Sequence, residues 1–223
     1  MTAQMITVAA ALVALVAVAQ HGIWRFSRTA VTIAHEGGHA LVAVLSGRRL
    51  SGIRLHSDTS GLTVSRGRPT GLGMVFTALA GYVAPSLLGL GVAELVRLQY
   101  TRVLLTLVLA LLLATLVYVR NVYGGFAVLV TVAMVGLIGW YGTPGIRLAF
   151  CTTLAWFLLF GGVRAVAELR RGRRYRPGSD ADQLAALTGV PAAGWVGLFT
   201  IVSLGAVVLG GWWLLGSLLI AAR

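Results

Sequence analysis

Seven apolar runs, at residues 4–22, 28–47, 71–93, 101–119, 124–141, 146–166 and 192–220, leave this chain few ways to fold. A hydrocarbon core of roughly 30 Å takes about 20 apolar residues to cross as a helix. Inside lipid only a helix or a closed barrel satisfies every backbone polar group. Runs this long, without strand alternation, predict an all-α polytopic transmembrane helix bundle. The fifth run is short and rich in glycine, so six to seven spans are expected, within a single integral membrane domain over 1–223. Hydrophobic residues make up 58% of the 223 and charged residues only 11%, a balance that excludes an ordinary soluble domain of this size. The opening stretch resembles the apolar part of a signal peptide, but no basic residue precedes it, so it reads as a retained first helix.

All 18 basic residues are arginine, against 6 acidic ones, for a net charge of +12. Such a surplus also marks nucleic-acid binders. Here the arginines fall in the gaps between apolar runs, where they fix orientation and meet anionic headgroups, so the expected partner is the lipid bilayer and not nucleic acid. If each run crosses, Arg48, Arg49, Arg54, Arg66, Arg68, Arg120, Arg164 and the arginines of 170–176 share one side. Arg25, Arg28, Arg97, Arg102, Arg147 and Arg223 share the other, which predicts a cytoplasmic N-terminus. The cluster RRGRRYR at 170–176 reads as a headgroup-binding loop. The single cysteine, Cys151, lies in an apolar run, which rules out an intramolecular disulfide and a cysteine-based metal cluster.

Between the second and third runs, SGIRLHSDTSGLTVSRGR alternates at Ile53, Leu55, Leu62 and Val64 around turn residues at 57–61, and predicts a short surface β-hairpin. An exposed edge of such a hairpin can pair with an extended substrate segment through main-chain hydrogen bonds.

The second run contains the one constellation with chemistry in it, TAVTIAHEGGHALVAVLSG. His35 and His39 stand four apart, so on a helix both imidazoles project from one face, one turn apart, and can reach one Zn²⁺. Glu36 adjoins them as a candidate general base for water activated by that ion. Ionisable groups inside an apolar span are costly and mark function by default. The competing reading is a polar cluster that joins helices.

A catalytic zinc needs a third protein ligand and an open position. His21 and His56 lie outside the apolar runs, Glu94 and Glu168 sit at run ends beside arginines, and Asp58 belongs to the hairpin. Asp180 and Asp182 remain, in RPGSDADQLAALTGVP, where Ser179 can cap a short helix that ends near Gly189 and Pro191. Both are candidate ligands, and both also suit ordinary first-turn capping. Gly81 and Pro85 in the third run suit an ordinary packing kink, and the alternative is that they open a helix near the site. Asn121 is a candidate oxyanion donor, and Arg120 beside it is a residue that snorkels to the interface.

The blocks AHEGGHA at 34–40, AGYVAPS at 80–86, RNVYGG at 120–125 and SDADQLAALTGVP at 179–191 resemble the site-2 protease class of intramembrane metalloproteases, and more closely its compact M50B-like bacterial branch. They follow the expected order across most of the chain. The resemblance implies a zinc peptidase of the bacterial cell membrane that cleaves membrane-embedded or membrane-proximal segments of other membrane proteins. It assigns His35, His39 and Asp180 as zinc ligands and Glu36 as catalytic base. Two departures concern substrate handling: Ala181 follows Asp180 where better-studied members have glycine, and no asparagine follows Asn121. The alternatives are a catalytically inactive, metalloprotease-like adaptor or regulator, and a metal-handling protein whose histidines line a pathway. No feature of the sequence specifies an oligomeric state.

Overall fold

The computed structural model describes residues 3–172 and 178–221. Its elements are α1 (Ala3–Ala19), α2 (His21–Leu45), β1 (Arg49–Leu55), β2 (Gly61–Arg66), α3 (Leu72–Arg97), α4 (Thr101–Tyr118), α5 (Val122–Tyr141), α6 (Pro144–Gly172), α7 (Asp180–Thr188) and α8 (Ala192–Ala221). The all-α reading holds, with a two-stranded antiparallel sheet where the hairpin was expected. Arg173, Arg174 and Arg176 of the basic cluster lie outside the described residues.

Helices α3, α4, α5, α6 and α8 are each long and apolar enough to cross a membrane. The fifth apolar run is among them, as the 20-residue α5. The first two runs differ from expectation. They form a pair bent by 101° at the single residue between them, which supplies at most one further crossing. Gln20 caps the start of α2 through its side chain, which accepts from the Ile23 N–H, so the break is a built corner.

That corner corrects the assignment of sides. Where α1 ends, the Val18 carbonyl accepts from Arg164 of α6, and at the start of α2 Arg28 lies 3.3 Å from Glu168. Residues 21–28 therefore sit at the same end of the bundle as the end of α6. Helix α3 runs antiparallel to α6, with Ser86 against Gly162 and Gly89 against Leu159, so α3 also begins at that end. Ser46, just past α2, packs against Gly73 near the start of α3. Both ends of α2, the hairpin and the Val119–Asn121 link thus gather with the arginines of α6 at one end, whereas Arg97, Arg102 and Arg147 stand at the other. Arg28 is therefore on the same side as Arg164, because the chain turns at Gln20.

The hairpin is anchored on two sides. Thr32 Oγ1 donates to the Thr59 carbonyl at 2.8 Å and Arg28 Nη1 donates to Thr59 Oγ1 at 3.0 Å, which holds the hairpin tip on α2. The outer edge of β1 is taken by the α4–α5 link, where the Arg120 N–H donates to the Ile53 carbonyl at 2.9 Å.

Candidate metal centre

On α2 the residues Arg28, Thr32, His35 and His39 recur at intervals of four, three and four, which puts them on one helical face. That face turns inward: Glu36 is 4% exposed and His39 9%. Burial of this kind demands partners for each polar atom, and the partners come from four different elements.

His39 Nδ1 lies 2.7 Å from the Thr77 carbonyl of α3. A carbonyl only accepts, so Nδ1 carries the proton and Nε2 presents its lone pair. His39 Nε2 lies 3.1 Å from His35 Nε2, and each lies 3.2 Å from Asp180 Oδ2. Asp180 opens α7, and its Oδ2 is buried without a donor in hydrogen-bond geometry. The arrangement is a near-equilateral triangle of two nitrogens and one carboxylate oxygen. Ligand atoms on a tetrahedral zinc, at about 2.0–2.1 Å from the ion, stand about 3.3 Å apart, so these edges fit the donor set of that metal. The Thr77 carbonyl behind His39 is the outer-shell acceptor such a ligand needs.

Room for the triangle comes from Gly81 on α3. A Cβ at that position would collide with the His39 ring and with Asp180 Oδ2. Pro85 is accommodated one turn later inside a continuous α3, so the contribution of this stretch is clearance at Gly81 and no opened helix. Tyr82 follows, edge-on to His35 at 4.7 Å between ring centroids and stacked on Phe199 of α8 at 5.2 Å. It holds the ring of His35 in place.

Glu36 is organised by the hairpin. Thr63 Oγ1 donates to Glu36 Oε2 at 2.6 Å, and β2 passes so close that a Cβ on Gly61 would strike the carboxylate. His35, Glu36, Tyr82, Thr59 and Gly61 line a common cavity of about 430 Å³, which Arg28 and Glu168 also border.

Of the residues singled out from sequence, His35, His39 and Asp180 come together, and Glu36 shares a cavity with His35. Asp182 is engaged in a capping box, accepting from Ser179 Oγ at 2.8 Å and from the Ser179 N–H at 3.1 Å. Asn121 pairs with the main chain of Leu55: its Nδ2 donates to the carbonyl at 2.6 Å, and its Oδ1 accepts from the N–H at 3.2 Å. It extends the sheet at β1 and makes no bond into the cavity. Arg120 turns back on its own segment, donating to the Val117 carbonyl at 2.7 Å. Sequence reasoning missed Thr63, Thr77 and Tyr82. The first two have no local motif, since they act through contacts with residues 27 and 38 positions away.

The chain belongs to the Peptidase M50B-like family, whose family model matches residues 8–210. This defines it as a membrane-embedded member of a peptidase family. No curated protein and no solved structure matches it.

Proposed function

We propose that the protein is an intramembrane zinc endopeptidase that hydrolyses peptide bonds in or near transmembrane segments of other membrane proteins. The observation that carries this reading is the triangle of His35 Nε2, His39 Nε2 and Asp180 Oδ2, with edges of 3.1 to 3.2 Å, beside a buried glutamate. A zinc ion held by three protein ligands with one open position supplies a Lewis acid for the scissile carbonyl and lowers the pKa of a water there to about 7.

Glu36 is the general base and then the general acid: its carboxylate takes a proton from the attacking water and returns it to the leaving amine nitrogen. Thr63 fixes the carboxylate by donating to Oε2, which leaves Oε1 for the proton. His39 is kept in the ligating tautomer by the Thr77 carbonyl. The substrate segment lies extended along β2, whose Leu62 and Val64 are exposed while the other edge of the sheet is taken by 119–121. The arginine-rich end that holds the centre faces the cytoplasm.

The test is Glu36→Gln in the purified protein. A base of this kind contributes about 10²–10⁴-fold, so cleavage of a membrane-protein substrate should fall by that factor while close to one zinc per chain is retained. Undiminished cleavage with glutamine would remove Glu36 from the mechanism. A wild-type protein that binds zinc and cleaves no membrane substrate would point to the adaptor reading.

A further inference from the structure

A second cavity, of about 830 Å³, opens between α1, α6 and α8. Its walls are apolar, with Leu15 from α1, Phe160 and Val163 from α6, and Leu204 and Val207 from α8. One end is basic, formed by His21, Arg164 and Arg171. Arg164 stands 20 positions beyond Pro144, about 30 Å along a helix, which is the full thickness of the hydrocarbon core. The basic end of the groove is thus at headgroup depth, and its apolar walls run towards the middle of the bilayer.

The charge there is unbalanced. Glu168, the one acidic side chain of the groove, is shared between Arg28 at 3.3 Å and Arg164 at 3.2 Å, and also accepts from Trp24 Nε1 at 2.7 Å. Arg171 is exposed, and among the described residues its bond is from Nε to the Ala167 carbonyl at 3.3 Å, with no carboxylate opposite it. A guanidinium surplus at headgroup level above an apolar slot between helices is complementary to one kind of molecule, a lipid with an anionic head and long acyl chains.

We infer that this groove binds an anionic phospholipid, its phosphate on Arg171 and an acyl chain between Phe160 and Leu204. The inference is independent of the peptidase reading, because it is read as bound lipid and not as cleavage.

The experiment is native mass spectrometry of the full-length chain, stripped of lipid in detergent and titrated with three probes. These are phosphatidylglycerol, phosphatidylcholine with the same acyl chains, and glycerophosphoglycerol, which has the headgroup alone. Phosphatidylglycerol should bind about tenfold more tightly than phosphatidylcholine, and the deacylated headgroup should give no stable adduct. Arg171→Gln, at an exposed position, should weaken phosphatidylglycerol roughly fivefold and leave phosphatidylcholine unchanged. Ala167→Trp, which fills the groove, should weaken both lipids. Equal affinity for the two lipids, or no effect of Arg171→Gln, overturns the proposal. An adduct with the deacylated headgroup as tight as with the lipid reassigns the basic end to a soluble phosphate compound. A Leu204→Cys variant that cross-links to a membrane protein in place of lipid shows the groove to be a helix-docking surface, and likewise overturns it.

Discussion

The region around α2 and the region formed by α4 and α5 use the same polar side chains in opposite ways. In α4 and α5, Thr106, Thr115 and Thr131 each donate to the carbonyl four residues earlier, at 3.0, 2.8 and 2.8 Å. These bonds hide a hydroxyl from lipid and fix nothing else. Around α2, Thr32 reaches Thr59, Thr63 reaches Glu36, and His39 reaches Thr77, each across 27 to 38 residues of chain. Burial follows the same division: α4 buries Leu104, Leu105 and Leu112, whereas α2 buries nine residues, Thr32, Glu36 and His39 among them. Lipid tolerates any apolar surface, so α4 and α5 are specified loosely. A metal triangle needs its atoms held within a few tenths of an ångström, so the elements around α2 are cross-linked by directional bonds.

The sharpest contrast is between two glycines. At Gly81 an added Cβ would overlap the His39 ring and Asp180 Oδ2, and neither can retreat, because one is held by Thr77 and the other opens a capped helix. At Gly136 of α5 nothing lies within 4 Å. Gly81→Ala should therefore lower zinc affinity on the order of 100-fold and abolish cleavage, as measured by metal content after dialysis. Gly136→Ala should leave both at wild-type levels. Normal zinc in the Gly81 variant breaks the comparison, since the centre would then tolerate the same freedom as the lipid-facing pair.

Next in size is the bond that organises Glu36, the proposed base. Thr63→Val keeps the shape of the side chain and removes the donor to Glu36 Oε2. Hydrogen bonds to charged groups are worth about 1.5–3 kcal/mol, so kcat should fall by about 10- to 150-fold, with KM and zinc content unchanged. A rise in KM at constant kcat would instead assign Thr63 to substrate binding along β2, which sharpens the contrast in a different direction.

The sequence displays the α4 and α5 region almost completely and the α2 region only in part, for a physical reason. A lipid-facing helix is defined by local apolarity, which can be read off residues 101–119 and 124–141. The His35 and His39 pair was equally legible, because a four-residue spacing is a local property of a helix. Asp180 and Asp182 could not be told apart on residue type, since both suit a capped first turn; the distinction lies in which one faces α2 and α3, and the capping box engages Asp182. Thr63, Thr77 and Tyr82 depend on which segments the fold brings together, and so does the 101° corner at Gln20. That corner is why a count of alternating crossings put Arg28 on the wrong side: hydropathy reports that a segment is apolar and carries no record of the direction in which it leaves the membrane.

The smallest expected effect tests the loose half of the comparison. Thr131→Val removes a hydroxyl whose one bond is to the Ala127 carbonyl of its own helix. The carbonyl keeps its helical partner, and the valine methyl meets lipid or apolar neighbours that ask for no donor. Interhelical side-chain hydrogen bonds in membranes average only about 0.6 kcal/mol, and one that joins no second helix is worth less. Unfolding free energy should shift by under ~0.5 kcal/mol, with cleavage and zinc content unaltered. The matched change at Thr32→Val removes the bond that holds the Thr59 carbonyl and should loosen the hairpin over Glu36. Equal responses of the two variants, in stability and in turnover, would mean that the reach of a hydroxyl across the chain does not distinguish the α2 region from the lipid-facing pair.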